Sequence, residues 1–177
     1  IEARPSEVGG IVLRRAVPSR ALRTVGAWCF LDHAGPARFA PGQGMHVGPH
    51  PHIGLATVTY LFEGAMMHRD SLGSEQVIEP GAINWMTAGS GIVHSERKPE
   101  AERNATYVNH GLQLWLALPE AQQEVKASFT HTPARAIPEV QDGAASVRVL
   151  VGQAFGAESP VTTLSPTLYL EDRKSVV

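Results

Sequence analysis

The chain has 177 residues, 15 Lys+Arg against 17 Asp+Glu, one cysteine and eight histidines. That length suits one domain, or one domain and a small part of a second, and suffices for a core without metal or disulfide staples. A formal net charge of −2 lacks the basic footprint of a nucleic-acid binder. Cys29 has no internal partner, no run of about 18 apolar residues occurs, and the N-terminal charges precede no apolar core of a signal peptide. Together these predict a cytoplasmic protein with no direct nucleic-acid or membrane partner.

Along the chain, turn signals recur at Gly9-Gly10, Gly35-Pro36, Pro41-Gly42, Glu63-Gly64, Leu72-Gly73, Pro80-Gly81, Gly89-Ser90-Gly91, Asp142-Gly143 and Ser159-Pro160. Short apolar runs lie between them. Residues 55–62 (LATVTYLF) are β-branched and aromatic, 75–78 and 82–87 (AINWMT) follow, and 111–118 (GLQLWLAL) place Leu112, Leu114, Leu116 and Leu118 on one face. Residues 119–126 (PEAQQEVK) read as a helix opened by Pro119. Residues 97–106 read as a polar surface loop and 130–145 as an extended connector. Residues 146–151 (SVRVLV) alternate again. Short strands with turns every eight to twelve residues predict an all-β sandwich or barrel.

The histidines concentrate in two segments, GMHVGPHPH at 44–52 and GIVHSE at 91–96. His50 and His52 are two apart, as are His94 and Glu96, and side chains at i and i+2 of a strand share a face. If the two strands are neighbours, three imidazoles and one carboxylate converge. Such a nitrogen/oxygen set suits Fe, Mn, Co, Ni, Cu or Zn, and leaves open coordination positions. The spacing alone leaves open a second reading, of loop histidines bonded to the backbone. His68, on the strand after Glu63-Gly64, reads as facing solvent or a hydrogen-bond partner, with reach toward the metal region as the alternative. Cys29 reads as a buried apolar residue. Trp85, Met86, Leu114 and Trp115 read as barrel core, with some of them lining an apolar pocket.

The stretch from His50 to Glu96 resembles the pirin family of cupin proteins, above all in TAGSGIVHSE. WCFLDHAGP at 28–36 and HGLQLWLALP at 110–119 resemble it too. So does the spacing of Gly44, five residues, then His50 and His52. The resemblance implies a cupin (jelly-roll) β-barrel with metal ligands His50, His52, His94 and Glu96. It implies one divalent transition metal, iron first, with Mn, Co, Ni, Cu or Zn within the reach of the same ligands. It further implies a quercetin 2,3-dioxygenase type of activity on a small aromatic, flavonol-like substrate, with Glu96 as catalytic base. The alternative is an iron- or redox-responsive regulatory protein acting through protein partners without turnover. Ala56 and Ile53 stand where many relatives carry Glu and Arg, which predicts a missing ion pair outside the ligand set. Pirins are usually double barrels. Residues 1–160 are therefore expected to form the N-terminal barrel, and 161–177 the start of a truncated second cupin region. A lone barrel would expose an apolar face and favour a homodimer.

Overall fold

The structure is a computed structural model describing residues 2–174. In chain order the strands are β1 (Arg4–Val8), β2 (Ile11–Val17), β3 (Trp28–Phe39), β4 (His46–His52), β5 (Leu55–Glu63), β6 (Met66–Asp70), β7 (Glu75–Ile78) and β8 (Ile83–Thr87). They continue with β9 (Ile92–Arg97), β10 (Tyr107–Ala117), β11 (Ser128–Thr132), β12 (Glu139–Asp142), β13 (Ala145–Val151), β14 (Gln153–Ala154), β15 (Ala157–Glu158) and β16 (Tyr169–Lys174). One sheet has the order β1-β2-β3-β10-β5-β8-β11, a second β4-β9-β6-β7 and a third β12-β13-β16. The fold class is all-β, as expected.

The seven-stranded sheet is buried on both faces, which explains the near-continuous apolar runs of β5 and β8. Its inner face meets the four-stranded sheet through Ile11, Leu13, Met45, Leu61, Met66 and Ile78. A second inner cluster joins Met86, Ala88, Ile92 and Ala127, with Phe129 against it. The outer face carries Ala56, Val58, Tyr60, Ile83, Trp85, Leu114 and Leu116, and is covered by Ile137, Leu150, Val151 and Val161. The predicted Leu face of β10 lies here. On this side of the sheet the apolar residues are covered by the chain's own residues. Arg148 of β13 fastens the layers, donating to the Tyr60 hydroxyl at 2.7 Å and to the Gly81 and Ala134 carbonyls at 2.9 and 3.1 Å.

Two local expectations need correction. Within 119–126 only Glu120–Gln122 is helical, as a single 3-10 turn. The segment is too short to nucleate an α-helix and has no apolar stripe to bury. Residues 130–145 are not a connector throughout. Their ends belong to β11, which pairs with β8, and to β12, which returns through Gly143 (φ +61°) to pair with β13. Cross-strand pairing outweighed the weak local signal of these polar strands. Residues 97–106 form the expected surface loop, with one 3-10 turn at Glu100–Glu102.

Candidate metal centre

The histidine strands β4 and β9 are antiparallel neighbours, with His50 directly opposite His94. This register depends on a bulge. Val47 faces Glu96, so Gly48 and Pro49 together span the single residue Ser95. One extra residue switches which side chains point inward. Val47 before the bulge and His50 after it therefore line the same cavity despite odd spacing. On the partner strand the tight turn is equally constrained. Gly89 has φ +51°, and a Cβ there would lie 1.9 Å from the Val125 carbonyl oxygen.

The nitrogen ligand atoms available on His50, His52 and His94 lie within 4.8 Å of one another. His52 Nε2 and His94 Nε2 are 3.1 Å apart. Two nitrogens each about 2.1 Å from one ion, at right angles, would be about 3.0 Å apart. The His50 Nδ1–H donates to the Gly48 carbonyl at 3.0 Å, which leaves Nε2 with its lone pair. Burial, then the neighbouring His50, holds His52 down to about 4. Burial, then His50, His52 and His68, holds His94 down to about 3. Both imidazoles are therefore neutral near pH 7, the form that binds metals. The donor set fits a divalent transition ion.

Glu96 lies outside this three-histidine group but lines the same cavity. Burial raises its carboxyl, partly offset by the nearby His50 and a 3.3 Å hydrogen bond from the Thr59 hydroxyl. Thr59 also approaches Gln113 Oε1 at 2.9 Å. The cavity holds about 300 Å³. Its aromatic wall is Phe30 stacked on Trp115, centroids 4.0 Å apart, with the Trp115 ring edge-on to His52 at 5.2 Å. Arg15 sits over Phe30 at 4.5 Å and forms a bidentate pair with buried Asp32, at 2.8 and 2.7 Å. Trp115 is thus a cavity residue, whereas Trp85, Met86 and Leu114 are buried in the apolar clusters.

His68 does not face solvent. It is 2% exposed, bonded through Nε2 to Asp70 Oδ2 at 3.0 Å, and next to His94, with the two Nδ1 atoms 3.4 Å apart. Burial keeps it neutral, against the pull of Asp70. His46 is exposed and lines a separate groove with Arg97 and Lys98. His33 pairs with His110 at 2.9 Å and with Arg14, and His131 meets Asn84 Oδ1 at 2.7 Å. Cys29 is half-buried and burial pushes its thiol up, so it is a poor nucleophile. Ala56 is fully buried on the outer face and Ile53 is 70% exposed. Neither lines the cavity.

Sequence reasoning missed Asp70, Thr59, Gln113 and the Arg15–Asp32 pair. The H-x-D spacing of His68 and Asp70 repeats the H-x-E of His94 and Glu96, and is the one signal that could have found Asp70. The others occupy one row across the inner face, Arg15, Asp32, Gln113, Thr59, Asn84 and His131, each opposite the next on the neighbouring strand. Residues up to 116 positions apart cannot be aligned without the register.

Two antiparallel sheets enclosing a histidine-lined cavity define a cupin β-barrel. The family model described as Pirin matches residues 10–116. A protein of Pseudomonas aeruginosa with a provisional name of quercetin 2,3-dioxygenase is 48% identical over 169 residues, covering 95% of this chain and 52% of that protein. A pirin-like protein of Caulobacter vibrioides is 47% identical over 172 residues, covering 96% and 59% respectively. A crystal structure of a quercetin 2,3-dioxygenase from Acinetobacter baumannii superposes with a TM-score of 0.92 at 45% identity, covering 99% of this chain and 57% of that one. The chain belongs to the pirin family. It spans between half and three-fifths of the length of these curated relatives. Among the described residues no helix is long and apolar enough to cross a membrane.

Proposed function

We propose that His50, His52, His94 and Glu96 hold one divalent transition metal, iron first among those the donors accept. On this reading the chain carries a quercetin 2,3-dioxygenase type of chemistry on a flavonol-like substrate. The observation that carries the reading is the convergence of three imidazoles on a cavity that also contains a buried carboxyl and an aromatic wall. The similar proteins named as quercetin dioxygenases support the substrate class. When bound, the metal supplies Lewis acidity and a centre for dioxygen chemistry.

The protein's own groups do the rest. Trp115 and Phe30 offer flat apolar surface to an aromatic ring. Glu96 is the base: its carboxylate takes the proton of a substrate hydroxyl onto a carboxylate oxygen. Its raised affinity for protons narrows the gap to that hydroxyl. Thr59, bonded to Oε1, holds the carboxylate in place. The surrounding apolar side chains, among them Leu61 and Met66, exclude water from the ring.

This reading includes a division of the chain into a barrel at 1–160 and the start of a further cupin region at 161–177. β16 adds to β13, which lies within 1–160, and Val161 packs in the outer apolar cluster, so the two parts share a sheet and a core.

The test is aerobic turnover of quercetin by protein loaded in turn with Fe, Mn, Co, Ni and Cu, with metal content measured in parallel. Turnover that disappears in Glu96→Gln while metal is retained is the expected result. Full occupancy with no turnover for any metal would sink the dioxygenase reading. Full metal content in His50→Ala would sink the site.

A further inference from the structure

His68 and Asp70 take no part in the chemistry above, yet both are buried against it. The side chain of Asp70 has no exposed surface and that of His68 is 3% exposed. β6 pairs with β9 so that Asp70 lies directly opposite His94, and His68 directly opposite Glu96. Residues opposite one another on antiparallel strands share a face. The His68 ring is clamped by Phe129, stacked at 4.1 Å and 8°.

The hydrogen bonds in this group have one consistent direction. An ionised carboxylate only accepts, so His68 Nε2 carries a proton and donates to Asp70 Oδ2 at 3.0 Å. A neutral imidazole with Nε2–H has its lone pair on Nδ1. His94 Nδ1, 3.4 Å away, must then be the donor. His94 is left with its lone pair on Nε2, the atom that faces His52 Nε2. Asp70 is itself fixed, since its other oxygen, Oδ1, accepts from the backbone N–H groups of Leu72 at 2.9 Å and Ser74 at 3.0 Å.

We propose that Asp70 and His68 are a positioning pair that sets the tautomer of His94, so that His94 presents an unprotonated Nε2 to a metal ion. The inference rests on the metal site proposed above and deepens it. His50 gets the same service locally, from the Gly48 carbonyl of the bulge. His94 lies in a regular part of the ladder and receives it from a neighbouring strand. Partners of this kind raise ligand basicity, and their loss weakens metal binding by about 10–100-fold.

Asp70→Asn is the decisive variant. The amide oxygen can still accept from Leu72 and Ser74, so the turn survives. The amide NH₂ takes the place of Oδ2 and donates to His68 Nε2. The His68 proton moves to Nδ1, and His94 must then keep its proton on Nε2, where it blocks coordination. Two measurements follow. Long-range ¹⁵N–¹H spectra of the imidazoles in metal-free protein should show His94 as Nδ1–H in the parent and as Nε2–H in the variant. Competition titration with cobalt(II) should show binding about 10–100-fold weaker in the variant. His68→Gln, whose amide offers both a donor and an acceptor, should bind cobalt(II) more tightly than Asp70→Asn. Should Asp70→Asn fail to fold, His68→Leu, which offers His94 no acceptor, replaces it and should bind cobalt(II) about 10–100-fold more weakly than the parent, binding equal to the parent overturning the proposal. An unchanged His94 tautomer in Asp70→Asn, or cobalt(II) binding equal to the parent, overturns the proposal. If the parent binds no cobalt(II), the metal-site reading fails, while the tautomer comparison still decides the positioning role.

Discussion

The two faces of one sheet have opposite compositions within the same strands. On β5, Ala56, Val58 and Tyr60 look outward into an apolar cluster, while Thr59 and Leu61 look inward to the cavity. On β10, Leu114 and Leu116 look outward while Gln113 and Trp115 look inward. The outer face is a dry packing surface whose worth scales with buried apolar area. The inner face gives up part of that burial to a row of polar side chains, and shares its cavity with the three histidines of β4 and β9 on the facing sheet. Stability and chemistry are separable here because alternate residues of one strand do different jobs.

The largest break in that comparison should come from the outer face. Leu116 is 1% exposed and central to the apolar cluster. Leu116→Ala should cost about 2–5 kcal/mol of stability through lost burial and a residual cavity. Denaturant unfolding measures it. The folded fraction should still bind metal with the parent stoichiometry. Loss of metal from folded Leu116→Ala protein would show that the two faces are coupled.

Acid should act on the cavity that the inner face shares with β4 and β9. The unfolded His52 and His94 take up protons near their ordinary 6.5, but the folded ones do so only near about 4 and about 3. The unfolded state therefore binds more protons in this window, so stability is present above pH 6.5 and falls as pH drops toward 4. Glu96 acts the other way: its raised carboxyl makes folding less favourable as pH rises through its titration, and so offsets part of the loss. His68, also held neutral by burial, adds to the loss, so the metal-free protein should lose stability as pH falls from 6.5 to 4. A thermal midpoint constant across that range would contradict the neutral, buried state of the histidines.

The two faces also differ in how far the sequence exposes them. The outer face is legible, because alternation of Leu112, Leu114, Leu116 and Leu118 is a direct consequence of strand geometry. The histidine strands are partly legible, because H-x-H and H-x-E carry the strand period. The bulge at Gly48-Pro49 is not, although it decides that His50 rather than Pro49 stands opposite His94. Nor is the inner polar row, since its members come from six strands and meet only through their pairing. His68 was legible as a strand residue facing solvent or a hydrogen-bond partner, and the structure gives it the partner, Asp70. Its burial depends on Phe129, from β11, a strand that polar composition concealed.

The smallest effect comes from the sharpest version of the comparison, two adjacent residues on β5. Val58 is fully buried on the outer face and Thr59 is 6% exposed on the inner one. Val58→Ala removes two methyl groups from a packed cluster, and should cost about 2 kcal/mol without altering the site. Thr59→Val keeps the shape but removes the hydroxyl that serves Gln113 and Glu96. It should cost about 1 kcal/mol, the usual scale of one net hydrogen bond. It should also raise the Glu96 carboxyl further, because that bond favours the ionised form. The pH dependence of metal binding then shifts toward higher pH in Thr59→Val and stays in place in Val58→Ala. If both variants shifted it alike, the faces of β5 would not be independent, and the separation of packing from chemistry would fail at its narrowest point.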